Sequence, residues 1–245
     1  MGGSRDRPTM RPAACILDFQ QLVSVIRLLW VPTELTPVPG WLTREEERTL
    51  YALAYILSGP FLEVGAWVGK STSIIARAIR DSGQYKKFVT SELNPTLQNF
   101  RPVDSGMGFF LPADSDVCLG VATMKSWTEE MEPVLSQPDG VLGQLTTNLR
   151  NLDLLDLVDI RVGDFANVPK LNYRFIFSDI MHTPNEIRTG LTALREIIDG
   201  RGTILAAHDW KPENERLMRN AFPIVDAIRY DTLIVYHIAN DYPVS

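Results

Sequence analysis

The sequence predicts an α/β fold. It is Rossmann-like and doubly wound, a mostly parallel sheet of about seven strands with helices on both faces and a C-terminal antiparallel strand. A strand, a glycine loop, a helix and a second strand follow one another between Phe61 and Glu92, which is a βαβ unit. Strand and helix patterns alternate again from about residue 140 to Ala207. The chain closes on two strand patterns joined by Tyr230-Asp231, which predicts an antiparallel pair.

Each element has its own signal. Ile16, Phe19, Leu22, Val23, Ile26, Leu29 and Trp30 recur at helical spacing over residues 14–30. Val31–Gly40 holds three prolines and reads as a linker. Thr43 with Glu46 three residues on is a capping box, opening a helix to about Leu57 that ends at Ser58-Gly59-Pro60. Strands are predicted at Phe61–Val64, Lys87–Ser91, Val158–Val162, Phe175–Ser178, Thr203–Ala207, Ile224–Arg229 and Thr232–Ile238. Helices are predicted at Ser71–Arg80, 140–152 and 184–198. Residues 97–147 break the alternation. They hold 2 basic and 7 acidic residues, so most of the net charge of −6 lies in this insert, expected to be a lid, a binding loop or disorder.

Composition narrows the function. The 245 residues are 45% apolar and 22% charged, an ordinary soluble mix. No apolar run reaches the ~18 residues of a membrane span. The acidic balance argues against a nucleic-acid partner. Cys15 and Cys118 cannot form a disulfide framework, so a reducing, cytoplasmic compartment is expected. Asp18, Gln20 and Gln21 interrupt the apolar stretch near the start, so residues 1–42 read as a tail and a helical cap rather than an export signal.

The chemistry concentrates at strand ends. Leu62–Thr72 reads LEVGAWVGKST. Gly65 and Gly69 allow a sharp turn, and the following helix points free N–H groups at whatever lies above the loop. A phosphate loop needs four residues between its glycines, and only three separate Gly65 from Gly69. A dinucleotide fingerprint needs glycine where Trp67 stands. Loop glycines that only make turns are the bland alternative. The pattern E-x-G-x-x-x-G, with Glu92 ending the second strand, resembles class I S-adenosylmethionine (SAM) methyltransferases. That resemblance implies a SAM site of Glu63, Gly65, Ala66, Trp67, Gly69, Ser71, Thr72, Glu92, Asp164 and Phe165. Gly65 would admit the methionine moiety, and Ser71 and Thr72 would face its carboxylate. Glu92 would take both ribose hydroxyls, and Asp164 and Phe165 would hold the adenine.

The fourth and fifth strands end in Asp179-Ile180-Met181-His182 and His208-Asp209-Trp210. In a parallel sheet these ends lie side by side. Asp179 and Asp209 can share a hard cation such as Mg²⁺, with His208 a softer third ligand. His182 is the candidate general base. His237, inside the last strand, reads as structural.

Leu62–Thr72 and Ser91–Pro95 resemble catechol O-methyltransferase. Asn148–Asp156 with Val162-Gly163-Asp164-Phe165, and the insert before them, resemble the macrocin O-methyltransferase family. Asp179-x-x-His182 with His208-Asp209 resembles the magnesium and base positions of metal-dependent sugar O-methyltransferases. The macrocin type has two acids where His208-Asp209 stands, and the catechol type a lysine where His182 stands. The resemblance implies a methyltransferase domain over 43–245 with a lid-like insert at about 97–147. It also implies SAM and Mg²⁺ as cofactors and a small hydroxylated acceptor, such as a natural-product sugar or a catechol. A homo-oligomer stays open. A P-loop-like NTPase and a non-catalytic SAM-binding protein are the competing classes.

Overall fold

The computed structural model describes residues 18–180, 182–198 and 202–239. The expected tail over residues 1–17, with Cys15, lies outside them, as does Met181. Asp18 caps α1 (Phe19–Leu28), which buries Phe19, Leu22, Val23 and Ile26. The predicted capping box of Thr43 and Glu46 opens α2 (Arg44–Ile56). Then come β1 (Phe61–Val64), α3 (Lys70–Asp81) and β2 (Phe88–Glu92).

The insert is a folded unit. β3 (Phe100–Val103), β4 (Gly106–Phe110) and β5 (Cys118–Ala122) form their own antiparallel sheet. α4 (Met124–Ser126), a π turn over Trp127–Met131 and α5 (Glu132–Leu135) form one helical stretch. It leads to α6 (Gly140–Asn151). Trp127, Leu135 and Val141 make a small core that also touches Trp67, Phe100 and Met107. The Thr183 hydroxyl donates to Leu119 O at 2.6 Å, and Trp41 Nε1 donates to Glu130 at 2.6 Å, so the insert is tied down on both sides. Amide exchange in β4 is therefore expected to be slow even without ligand, because its backbone pairs on both edges. Exchange as fast as in an exposed loop would show a mobile lid instead.

The chain continues with β6 (Asp159–Val162), β7 (Phe175–Ser178), α7 (Pro184–Ile197) and β8 (Thr203–Ala207). Then follow α8 (Pro212–Ala221), β9 (Ile224–Tyr230) and β10 (Leu233–Ile238). Helix α8 was not predicted from the sequence. Among the described residues the main sheet has seven strands in the order β6-β2-β1-β7-β8-β10-β9. The first five run parallel, and β10 runs against both β8 and β9, as predicted. Alternate side chains serve opposite faces: Phe61, Phe175 and Phe177 pack with α2, α3 and α6, while Leu62, Val64 and Ile176 pack with α7 and α8. Both faces are covered, so β1, β2, β7 and β8 are buried along their whole length. Among the described residues no helix is long and apolar enough to cross a membrane.

β1 is where the order reverses, with β2 on one side and β7 on the other. Ligands of open α/β sheets bind outside the carboxyl ends of the strands at such a switch. The loops after β1, β2, β7 and β8 meet there.

Candidate active site

The glycine loop follows β1. Gly65 has φ 86°, and a Cβ there would lie 3.0 Å from Asp179 O, so the loop can pass this close to the end of β7 only as glycine. Gly69 has φ 95° and caps α3 without a side-chain hydrogen bond, leaving the helix N–H groups for a ligand. A Cβ on Gly69 would meet Leu145 Cδ1 at 2.6 Å. Trp67 also sits in the left-handed region, at φ 48°, which costs a bulky residue about 1–3 kcal/mol.

Glu92 holds that strained loop. Its Oε2 accepts from Ala66 N at 3.0 Å and Trp67 N at 2.7 Å, and its Oε1 accepts from Asn94 N at 2.9 Å. Burial pushes its carboxyl up, and the three backbone N–H groups partly oppose this. A carboxylate offers about four lone-pair sites, and three are taken. In this arrangement Glu92 has room for one ribose hydroxyl rather than the expected two. Asn148 Nδ2 donates to Val68 O at 2.8 Å and steadies the loop from α6.

Three predicted SAM residues, Glu63, Ser71 and Thr72, face inward. Glu63 is fully buried, and its Oε2 accepts from Thr72 Oγ1 at 2.6 Å and Thr90 Oγ1 at 2.7 Å. Both side chains thus lie beneath the loop, because alternation along β1 sends residue 63 to the same face as Phe61. Ser71 is buried beside them. Burial pushes Glu63 up to about 7, against the lowering by the hydroxyls of Ser71, Thr72 and Thr90. A carboxyl raised from 4.5 to about 7 on folding gives stability that is full below the unfolded value and lost as pH climbs through the folded one. The loss is on the order of 3 kcal/mol. Glu63→Gln is therefore expected to flatten the fall in urea stability between about pH 5 and about pH 8. An equally steep fall in the variant would place the titration elsewhere.

Asp164 is exposed, and its side chain accepts from Ala166 N at 2.9 Å. Phe165 leans on the α7 side, near Gly190.

The second constellation converges. His182 Nε2 lies 3.6 Å from Asp179 Oδ1 and 3.4 Å from Asp209 Oδ2. Its Nδ1 lies 2.8 Å from Glu186 Oε2, which also accepts from His182 N at 2.9 Å. Ligand atoms of Asp179, His182 and Asp209 all fall within 4.8 Å of one another. Burial works against the charge on His182, but Asp179 and Glu186 hold its pKa well above the usual value. Asp179 is held well below the usual carboxylate range by His182 and His208, again against burial.

His208 stands behind this group. Its Nδ1 is 2.9 Å from Asp179 Oδ1 and its Nε2 is 3.4 Å from Glu46 Oε2. Both ring nitrogens face carboxylates, so neither is left for the metal role expected from the sequence. Burial opposes its charge, yet Asp179 and Glu46 raise its pKa to about 10. Trp210 is packed in place: its indole donates to Glu215 at 3.0 Å, and Arg229 lies 4.5 Å over its ring. His237 stacks on Phe19, as its strand position implied.

Glu186 and Glu46 escaped the sequence reading. Glu186 follows His182 by four residues, a spacing that brings two side chains together at a helix start. Glu46 had a signal only for its capping role.

A profile of the methyltransferase-domain family matches residues 62–210, more than half of the chain, and the chain belongs to that family. Cofactor-bound Rv0187 from MTB is 14% identical with a TM-score of 0.51, over 91% of this chain and 89% of that one. A Staphylococcus aureus protein described as a candidate caffeoyl-CoA O-methyltransferase is 13% identical with a TM-score of 0.50, over 82% and 85%. At these identities the likeness shows the Rossmann-like methyltransferase fold. No curated protein matches the chain.

Proposed function

We propose that this protein is a SAM-dependent O-methyltransferase acting on a hydroxyl of a small molecule. The observation that carries this reading is the meeting of Asp179, His182 and Asp209 beside the glycine loop of a methyltransferase domain. Gly65, Ala66, Trp67, Gly69 and the free start of α3 would receive the methionine end of SAM. Glu92 would take a ribose hydroxyl, and Asp164 and Phe165 would hold the adenine.

Methyl transfer is an in-line attack of an acceptor oxygen on the sulfonium methyl, so the protein's work is to orient the acceptor and take its proton. Glu186 accepts from Nδ1–H of His182, which leaves Nε2 facing the space between Asp179 and Asp209 as the proton acceptor. Two carboxylates side by side suit a hard divalent cation. Asp179 and Asp209 would hold it, Mg²⁺ being the ion that the family resemblance implies. When bound it would lower the pKa of the acceptor hydroxyl. The acidic insert favours a small acceptor over a nucleic acid, whose phosphates it would repel.

Calorimetry with SAM and with ATP tests the cofactor. Binding of SAM and not ATP is expected, and the reverse would favour a nucleotide hydrolase. Labelled methyl transfer to sugar and catechol hydroxyls then tests the reaction. SAM binding with no turnover on any hydroxylated acceptor would favour a non-catalytic SAM-binding protein.

A further inference from the structure

Glu46 lies outside the matched residues 62–210, on α2, and is fully buried. A capping-box glutamate ordinarily satisfies one backbone N–H at an exposed helix start. This one does more. Its Oε2 accepts from Thr43 N at 2.8 Å and faces His208 Nε2 at 3.4 Å. Its Oε1 accepts from Thr232 N at 2.9 Å and Thr232 Oγ1 at 2.7 Å. Thr232 O in turn accepts from Trp210 N at 2.8 Å. One carboxylate therefore secures the residues on both sides of Asp209, His208 directly and Trp210 through Thr232. Asp209 between them is held at φ 57°, a conformation that a non-glycine residue keeps only when its surroundings impose it. His208 also carries the constraint to Asp179 Oδ1.

We infer that Glu46 is a positioning residue for the active site, fixing the carboxylates of Asp179 and Asp209 through His208 and Thr232. The inference rests on the catalytic reading of those two aspartates given above. It makes α2 part of the catalytic apparatus rather than an N-terminal cover.

Glu46→Gln tests this. An amide keeps the shape but has a single acceptor oxygen, so its NH₂ must face either the Thr232 donors or Thr43 N and His208. Thr43→Ala is the control, because it weakens the helix cap and leaves the carboxylate in place. Mn²⁺ serves as the probe, followed by the paramagnetic resonance of the free ion, beside crystal structures of both variants. Glu46→Gln is expected to weaken Mn²⁺ binding by roughly 10- to 100-fold, the range for groups that orient metal ligands, with SAM affinity unchanged. Its crystal structure should show the Asp209 carboxylate displaced from His182. Thr43→Ala should bind Mn²⁺ as the wild type does. Glu46→Asp, which withdraws the charge by one methylene, is read the same way should the amide variant not fold. Wild-type Mn²⁺ affinity in Glu46→Gln with residues 208–210 unmoved would overturn the inference, as would an equal loss in Thr43→Ala. A wild type that takes no Mn²⁺ would sink the cation part of the proposed function. The crystal structures alone then decide: a displaced Asp209 supports the positioning role, and an unmoved one ends it.

Discussion

His182→Ala is expected to lower turnover by roughly 10²–10⁴-fold, the span for one general base. The fold should survive, because the His182 side chain is 39% exposed and supports no core. The variant should also lose the rise of rate with pH that proton removal imposes. Glu186→Gln gives the complementary test. It takes one anion away from the imidazolium, so the inflection of the pH–rate curve should move down toward the ordinary histidine value. Asp209→Asn should behave differently, lowering cation affinity and activity together while SAM binding stays nearly constant. Equal turnover in His182→Ala and wild type would leave the proton to another group.

Glu92→Ala is expected to weaken SAM binding by roughly 1.5–3 kcal/mol, the range for hydrogen bonds to a charged group. The loss has two sources in this structure. One is the ribose contact. The other is the loop itself, since Ala66 and Trp67 lose the acceptor that holds Trp67 at its positive φ. Trp67→Gly separates them, for glycine adopts that backbone without strain. In a Trp67→Gly background Glu92→Ala should cost less, by the share that went into clamping the loop. Calorimetric titration of SAM into the four proteins of this cycle measures that share. Unchanged SAM affinity in Glu92→Ala would remove the acid from the cofactor site.

The parts of the fold that were legible in the sequence are those with strong local signals. β1, β2, β7 and β8 each send apolar residues to both faces, and the loop after β1 has glycines where positive φ is needed. α8 was missed because its sequence, PENERLMRNA, is mostly polar, and its few inward residues, among them Met218 and Ala221, are too sparse to mark a period. The sheet within the insert was hidden by glycine and proline, which punctuate β3–β5 and resemble loop composition. At the site, Asp179, His182 and Asp209 could be placed together because strand order alone brings β7 and β8 side by side. Glu46 could not, because its partners His208 and Thr232 come from the far end of the chain and no spacing rule links them. The loop motif points Glu63, Ser71 and Thr72 to the cofactor, although β1 alternation turns Glu63 toward α3, where it meets both hydroxyl residues.

The place of β10 bears on how this protein can be handled. Among the described residues it is the last strand in sequence, yet it lies inside the sheet, paired with β8 on one edge and β9 on the other. Cutting the chain back to the stretch shared with its family, residues 62–210, removes it. Thr203–Ala207, all buried, would then present a bare row of amides and carbonyls, ready to pair with the same row on another molecule. Such a fragment should form inclusion bodies, whereas a version running from about Asp18 to Ala239 keeps that flank sealed.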